Sequence, residues 1–138
     1  MAKLPANVDP ALFEKVQRCF CEALELEPYE VQWGSRILAD LDAESLDLLD
    51  VVFRLEQAFA IQIPRGGLEN QAKEVDGEPG EVDGKLTAPG ARRLQELMPE
   101  VPPDEIFEGL KAVQIPELFR VGTFYNIVVA LQEAQSAE

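Results

Sequence analysis

The chain has 138 residues, with 26 Asp and Glu against 12 Lys and Arg, no histidine and a net charge of −14. Such a charge repels nucleic acid and anionic lipid, so neither is an expected partner, whereas a basic protein surface is. The lack of histidine removes the commonest general base and metal ligand. There is no apolar run of about 18 residues and no apolar signal core, so we expect a cytoplasmic protein without a membrane span.

The first half of the chain is typical of two helices joined by a long loop. Asp9 is placed to cap a first helix, predicted over Pro10 to Leu26 from apolar residues at helical spacing. A loop over 27–43 follows. The next apolar pattern predicts a second helix from Ser45 to Phe59.

A repeated tetrapeptide marks the region that follows. The sequence EVDG occurs at 74–77 and again at 81–84. The region fits either a β-hairpin that turns at Glu78-Pro79-Gly80 or a partly mobile loop. The copies are too short to indicate a solenoid.

The remainder of the chain predicts further helices. Thr87 is a suitable N-cap for a helix over 88–98, and a short helical turn is expected near 103–108. The last helix is predicted over 121–134, with a poorly capped start because Arg120 precedes it. No alternation of strands and helices is present, so the fold class is all-α.

Helix 2 carries two apolar stripes, where a helix of a small domain usually needs one. The stripe expected to face the core contains Leu48, Val52, Leu55 and Phe59, and the second contains Leu46, Leu49 and Phe53. Acidic residues edge the second stripe, with Arg54 as the basic exception. Either another segment, such as the 88–98 helix, covers this stripe, or it is a docking surface for a basic partner.

Ser45 lies at the start of helix 2, among acidic residues. It could cap its own helix, or it could receive a phosphate-linked group, which a helix N-terminus favours. No histidine or GxSxG motif would activate it as a nucleophile, so another enzyme would have to modify it. We therefore do not expect a hydrolase that uses Ser45 as its nucleophile.

Neither the acidic run nor the cysteines predict a metal site. In an EF-hand reading of DLDAESLDLLDV, Ser45 stands where glycine is required and Val51 where glutamate is required. Cys19 and Cys21 are two residues apart, which fits neither a redox pair nor a zinc site, so we expect unreactive thiols.

The stretch DLDAESLDLLDVVFRLEQAFAIQIP resembles the acyl carrier proteins. Their pattern is D-L-G-x-D-S-L-D, a helix with E-x-x-F near its end, and then I-x-I-P. The residues that fit it are Asp40, Leu41, Ser45, Leu46, Asp47, Glu56, Phe59, Ile61, Ile63 and Pro64. In addition, FRVGTFYNIVVAL at 119–131 resembles the start of the family's last helix.

The resemblance implies a function for these residues. Ser45 would carry 4′-phosphopantetheine, added from coenzyme A by a phosphopantetheinyl transferase, and the arm would hold acyl chains as thioesters for fatty-acid or specialised lipid synthesis. The protein would be a monomeric carrier and not an enzyme. Docking on basic patches of acyl-processing enzymes would use Glu44, Leu46, Asp47, Leu49, Asp50, Phe53 and Glu56. The acyl pocket would be lined by Val52, Leu55, Phe59 and Ile63.

The chain also departs from the family pattern. Glu44 replaces the aspartate before the serine, Asp42 replaces a glycine, and Arg54 adds a positive charge to the docking face. The implied fold is a four-helix bundle forming one carrier domain over 1–138. Within it, 65–116 is an insertion holding an extra helix and a possible β-hairpin. The insertion either reshapes the pocket, narrows the set of partners or only adds core.

Two other functions remain open from the sequence. One is a carrier for polyketide or amino-acyl intermediates. The other is a degenerate carrier fold that is never modified and acts as a binding subunit, for which the substitution at Glu44 is the supporting feature.

Overall fold

The structure is a computed structural model that describes residues 7–63, 74–75 and 77–136. The α-helices of this part are α1 (Pro10–Leu24), α2 (Ser45–Phe59), α3 (Ala88–Leu97) and α4 (Val121–Ser136). The strands are β1 (Glu74–Val75), β2 (Glu78–Pro79), β3 (Glu81–Val82) and β4 (Lys85–Leu86), and 3-10 turns cover Pro28–Glu30, Pro103–Glu105 and Ala112–Leu118. The predicted class, a helical carrier-like fold with an added helix and hairpin, is confirmed. Pro64 of the I-x-I-P motif lies outside the described residues.

The chain divides into two compact units. The first contains Met1–Ile63 and Arg120–Glu138, and the second contains Pro64–Phe119. The bounds predicted for the insertion, 65–116, fall inside the second unit. That one carrier domain holds this insertion stays a prediction.

In the first unit, α1, α2 and α4 pack against one another. Apolar residues of these helices are buried, among them Val16, Phe20, Val51, Leu55, Phe124 and Val128. Helix α1 is capped by Asp9, whose carboxylate accepts the Ala11 N–H at 3.0 Å, as predicted. It ends two residues before the predicted Leu26, because Glu25 takes a left-handed conformation with φ of 56°.

The loop before α2 holds the start of α4. The Val121 N–H donates to the Ser35 carbonyl and the Gly122 N–H donates to the Trp33 carbonyl, each at 3.0 Å. A Cβ atom at Gly122 would lie 2.6 Å from the Trp33 ring. Glycine at this position therefore lets the indole lie directly on the first turn of α4.

The expectation of a poorly capped α4 is wrong. The Arg120 N–H donates to the Thr123 Oγ1 atom at 3.0 Å, and the Thr123 N–H donates back to the Arg120 carbonyl. Thr123 is buried, so this pair is shielded from water. The first three N–H groups of α4 thus all donate to carbonyls, those of Ser35, Trp33 and Arg120.

The second unit contains two short antiparallel hairpins, and the predicted turn was misplaced. Glu78-Pro79 is strand β2, paired with β1, and the turns fall instead in each EVDG copy. In the second copy Asp83 and Gly84 have φ of 54° and 77° between the paired residues Val82 and Lys85. Positive φ at both central residues is the geometry that an Asp-Gly hairpin turn requires.

The core of the second unit forms around α3. Thr87 caps this helix as predicted, accepting the Gly90 N–H at 3.3 Å. Gly90 packs against the Gly80 carbonyl, where a Cβ atom would overlap it. The buried residues of this core are Leu86, Ala91, Leu94, Met98, Val101, Ile106, Leu110, Ile115 and Leu118.

Candidate functional site

The loop leading to Ser45 is fixed by a reciprocal turn. The Asp40 carboxylate accepts the Arg36 N–H, and the Asp40 N–H donates to the Arg36 carbonyl, both at 2.8 Å. The bond from the Arg36 N–H to the carboxylate is the main cause that lowers the pKa of Asp40. The Arg36 and Arg120 guanidinium groups lower this pKa further. The Ala43 N–H then donates to the carbonyl of the fully buried Ile37 at 3.2 Å. The chain therefore enters α2 from an anchored position.

Asp42, which stands where the family pattern has glycine, has φ of 54°. Glycine reaches this left-handed region without cost, and aspartate is among the few other residues that tolerate it. The loop thus keeps the backbone conformation for which the family's glycine is suited.

Helix α2 begins with a capping box made by Glu44 and Asp47. The Asp47 carboxylate accepts the Glu44 N–H at 2.9 Å, and the Glu44 side chain accepts the Asp47 N–H in return. Glu44 is the N-cap and Ser45 is the first helical residue, so the alternative in which Ser45 caps α2 is wrong. The two acids satisfy the helix start, and the serine lies between them, directly after Glu44.

The residues present fit a covalently attached phosphodiester at Ser45. The first turn of α2 has N–H groups without intrahelical acceptors and the positive end of the helix dipole. The adjacent Leu46 is 77% exposed, so the helix start lies at the surface. A transferase and an acyl-processing enzyme could both approach such a position.

The two apolar stripes of α2 differ in burial. Val51 and Leu55 are fully buried and Phe59 nearly so, which forms the core face. Leu46 is 77% exposed and Phe53 is 49% exposed, while Leu49 is partly buried. The predicted core stripe omitted Val51, although its position next to Leu55 and Leu48 on the helical wheel would have indicated it.

The predicted pocket residues lie on the core side of α2 or just after it. Leu55 and Phe59 are buried, and Val52 and Ile63 are partly buried. The Lys15 ammonium group of α1 lies 5.6 Å from the centre of the Phe59 ring. The acyl-pocket role of these residues stays a prediction.

The acids predicted for docking differ in their contacts. Asp47 belongs to the capping box, and Asp50 accepts a hydrogen bond from Arg54 Nε at 3.2 Å. The Glu56 carboxylate accepts the Ile63 N–H at 2.9 Å and so holds the chain that leaves α2. Glu44 is exposed. Their docking role stays a prediction.

A groove of about 370 Å³ lies along α1, away from the predicted pocket residues. It is lined by Pro10, Phe13, Glu14, Gln17, Arg18, Cys21 and Pro28. Both cysteines are free, and burial is the main cause that raises the pKa of Cys19 and of Cys21. Because the thiolate is the reactive form, this favours unreactive thiols.

Across the described ranges, no helix is both long enough and apolar enough to span a membrane.

Comparison with known proteins gives one consistent family. Residues 14–71 match the family model described as a phosphopantetheine attachment site. The acyl carrier protein of Sulfurovum sp. (strain NBC37-1) is 43% identical over 65 residues, covering 47% of this chain and 81% of the relative. That of Campylobacter concisus (strain 13826) is 41% identical over 54 residues, covering 39% of this chain and 70% of the relative. No solved structure gives a significant match.

The matched stretch contains the anchored loop, the capping box and α2. A relative that exceeds 40% identity over four fifths of its own length shows the family. Proteins of this kind are carriers and not catalysts, and a transferase and acyl-processing enzymes are their partners. The chain belongs to the acyl carrier protein family, and the attachment-site match and the relatives indicate a covalent 4′-phosphopantetheine group.

Proposed function

We propose that this protein holds acyl intermediates as thioesters on a 4′-phosphopantetheine arm attached to Ser45, and delivers them to enzymes of fatty-acid or specialised lipid synthesis. The observation that carries the proposal is the start of α2. There a capping box formed by Glu44 and Asp47 satisfies the helix end, and Ser45 follows as the first helical residue beside the exposed Leu46.

The residues of this chain act by presenting and positioning the arm. The turn between Arg36 and Asp40 and the buried Ile37 fix the loop before α2. The positive end of the α2 dipole lies at the first turn of the helix and favours the negative phosphodiester. The thiol at the end of the arm supplies the thioester chemistry once the group is attached.

Docking of partner enzymes is assigned to the open face of α2. Leu46 and Phe53 expose apolar surface with Leu49 partly buried between them, and the acids Glu44, Asp47, Asp50 and Glu56 surround it. An apolar centre with an acidic rim suits enzymes that carry basic patches, because opposite charges guide the approach and fix the register.

The acyl chain is assigned to the core side of the same helix. Leu55 and Phe59 are buried, and Val52 and Ile63 are partly buried. A chain that enters between the helices would lose contact with water and gain apolar contact with these residues. The proposal includes a role for 65–116 in partner choice. A variant that lacks this segment, stays folded and keeps the same acyl preference and partners would contradict this role.

The second candidate is a carrier fold that never receives the arm and acts as a binding subunit. It is favoured by one observation, that Glu44 replaces the aspartate of the family pattern and serves as the N-cap of α2. A transferase that reads the shorter side chain would act poorly on this chain.

The test is the intact mass of the protein after incubation with coenzyme A and a broad-specificity phosphopantetheinyl transferase, beside Ser45→Ala. The expected result is a gain of one phosphopantetheine in the wild type and none in the variant. If the wild type gains nothing while a control carrier is modified in the same tube, Glu44→Asp decides between the two candidates. Restored modification means that the transferase rejects Glu44, and continued failure supports the binding subunit.

A further inference from the structure

The middle of the open α2 face contains a clamp of three charges. Arg54 Nε lies 3.2 Å from Asp50 Oδ1 on the preceding turn of α2, and Arg54 Nη1 lies 3.2 Å from Glu22 Oε2 on α1. The side chains of Arg54, Asp50 and Glu22 are 39%, 47% and 57% exposed. The clamp is therefore at the surface, where a docking enzyme would meet it.

The clamp divides the docking face by charge. At the serine end, Glu44 and Asp47 accept backbone N–H groups in the capping box, and such uncharged donors do not offset the charge of a carboxylate. One turn further on, the charge of Asp50 is offset by the guanidinium group of Arg54, the only basic residue in the sequence of α2. Phe53 is next to Arg54 in sequence and is half exposed.

We propose that Arg54 selects partner enzymes, an inference that rests on the proposed carrier function. The α2 face fits an enzyme that places its basic side chains opposite Glu44 and Asp47 and a neutral or acidic side chain opposite Arg54. An enzyme with basic residues along the whole contact would meet a like charge at Arg54, and like charges brought together at an interface suppress the wrong partner.

The direct test is Arg54→Ala, measured as kcat/KM for phosphopantetheinylation by a broad-specificity transferase with a basic docking surface. At low salt we expect a rise of about threefold to tenfold, because the charges of Asp50 and Glu22 are no longer offset and the repulsion by Arg54 disappears. At roughly 0.5 M salt the gain should fall below about twofold, since screening weakens both effects. If kcat/KM of Arg54→Ala does not rise at low salt, the proposal is overturned.

Two further variants control for charge and folding. Arg93→Ala on α3 removes the same charge and an ion pair of similar exposure, Arg93 with Glu96, and should leave kcat/KM unchanged. An equal rise in Arg93→Ala would show that net charge alone matters, which overturns the proposal. Arg54→Gln keeps the length of the side chain and must reproduce the effect of Arg54→Ala, with the helical circular dichroism of the wild type.

A double-mutant cycle with Asp50→Asn tests the clamp itself. With Arg54 present, Asp50→Asn should change kcat/KM by less than about twofold, because the charge it removes is already offset. In the Arg54→Ala background the same change should lower kcat/KM by about threefold. Equal effects in both backgrounds would contradict the clamp.

Failure of the Arg54 proposal can be distinguished from failure of the proposed carrier function. If wild-type Ser45 is never modified, the dissociation constant of the unmodified protein for the same transferase is compared with that of Arg54→Ala. Tighter binding of the variant supports the inference although the proposed function has failed. Equal or weaker binding, or no binding by either protein, overturns it.

Discussion

Helices α2 and α3 handle their apolar residues in different ways. Helix α3 has one apolar face, where Ala91 and Leu94 are buried, and turns polar residues such as Arg92 and Glu96 to solvent. Helix α2 has a buried face as well, yet it also exposes Leu46 and Phe53. Since the buried face accounts for the packing of α2 in the described residues, the exposed apolar residues are assigned to the proposed docking surface.

The largest expected effect comes from the same substitution on the two helices. Leu94→Ala should destabilise the second unit by about 3 kcal/mol, because Leu94 is fully buried and its truncation leaves a cavity. Leu46→Ala should change stability by less than about 0.5 kcal/mol, since Leu46 is 77% exposed. Amide hydrogen exchange in α3 and in α2 measures the two stability changes. If exchange accelerates equally in Leu94→Ala and Leu46→Ala, the difference between the buried and the exposed leucine is contradicted.

Gly90→Ala should cost about 2 kcal/mol, because the new methyl group would overlap the Gly80 carbonyl, which is backbone and cannot turn aside. Gly34→Ala is the matched control, since a Cβ atom there meets nothing within 4 Å. Urea unfolding followed by circular dichroism compares the two. A Gly90→Ala protein as stable as Gly34→Ala would show that α3 does not need the close contact.

On α2 the expected loss is in docking and not in stability. Leu46→Ala and Phe53→Ala should each lower kcat/KM for phosphopantetheinylation about tenfold, because each removes apolar contact from the proposed interface. Val113→Ala is the control, as Val113 is 83% exposed in the second unit and has no proposed partner. An equal loss in Val113→Ala would remove the distinction between the α2 face and other exposed apolar residues.

The smallest effect concerns the start of each helix. An anchored loop containing Asp40 precedes α2, whereas a single threonine, Thr87, caps α3. Because the pKa of Asp40 is lowered in the folded state, its charge stabilises the fold above the unfolded pKa of about 4. That contribution is lost as the pH falls through the lowered folded pKa. Asp40→Asn should therefore cost about 0.5 kcal/mol at pH 7 and almost nothing below about pH 3, by urea unfolding at both pH values. An equal cost at both would contradict the role of the charge.

Local signals in the sequence were sufficient for most helix bounds. The apolar period fixed α2 at Ser45–Phe59, and the capping residues Asp9 and Thr87 were recognised in advance. These features depend on neighbours within one or two turns, which is why a pattern contains them. The turn at Asp83-Gly84 is equally local, because an Asp-Gly pair is itself a hairpin signal that competes with Glu78-Pro79-Gly80.

Other features depended on side-chain geometry in the folded loop or on contacts between distant segments. The sequence allowed Ser45 to cap α2, and the reciprocal bonding of Glu44 with Asp47 in the folded loop decided against it. The start of α4 needed Ser35 and Trp33, which are more than 80 residues earlier in the chain.

The sequence by itself determined the family, the helices and the serine, because each is read from residues close together. Only the tertiary structure decided which apolar stripe of α2 is buried and which is open, since burial depends on the elements that pack against a face. It also paired Arg54 with Glu22 of α1, a contact between residues 32 positions apart that no periodicity predicts. In our proposal, that pairing divides the charge of the docking face.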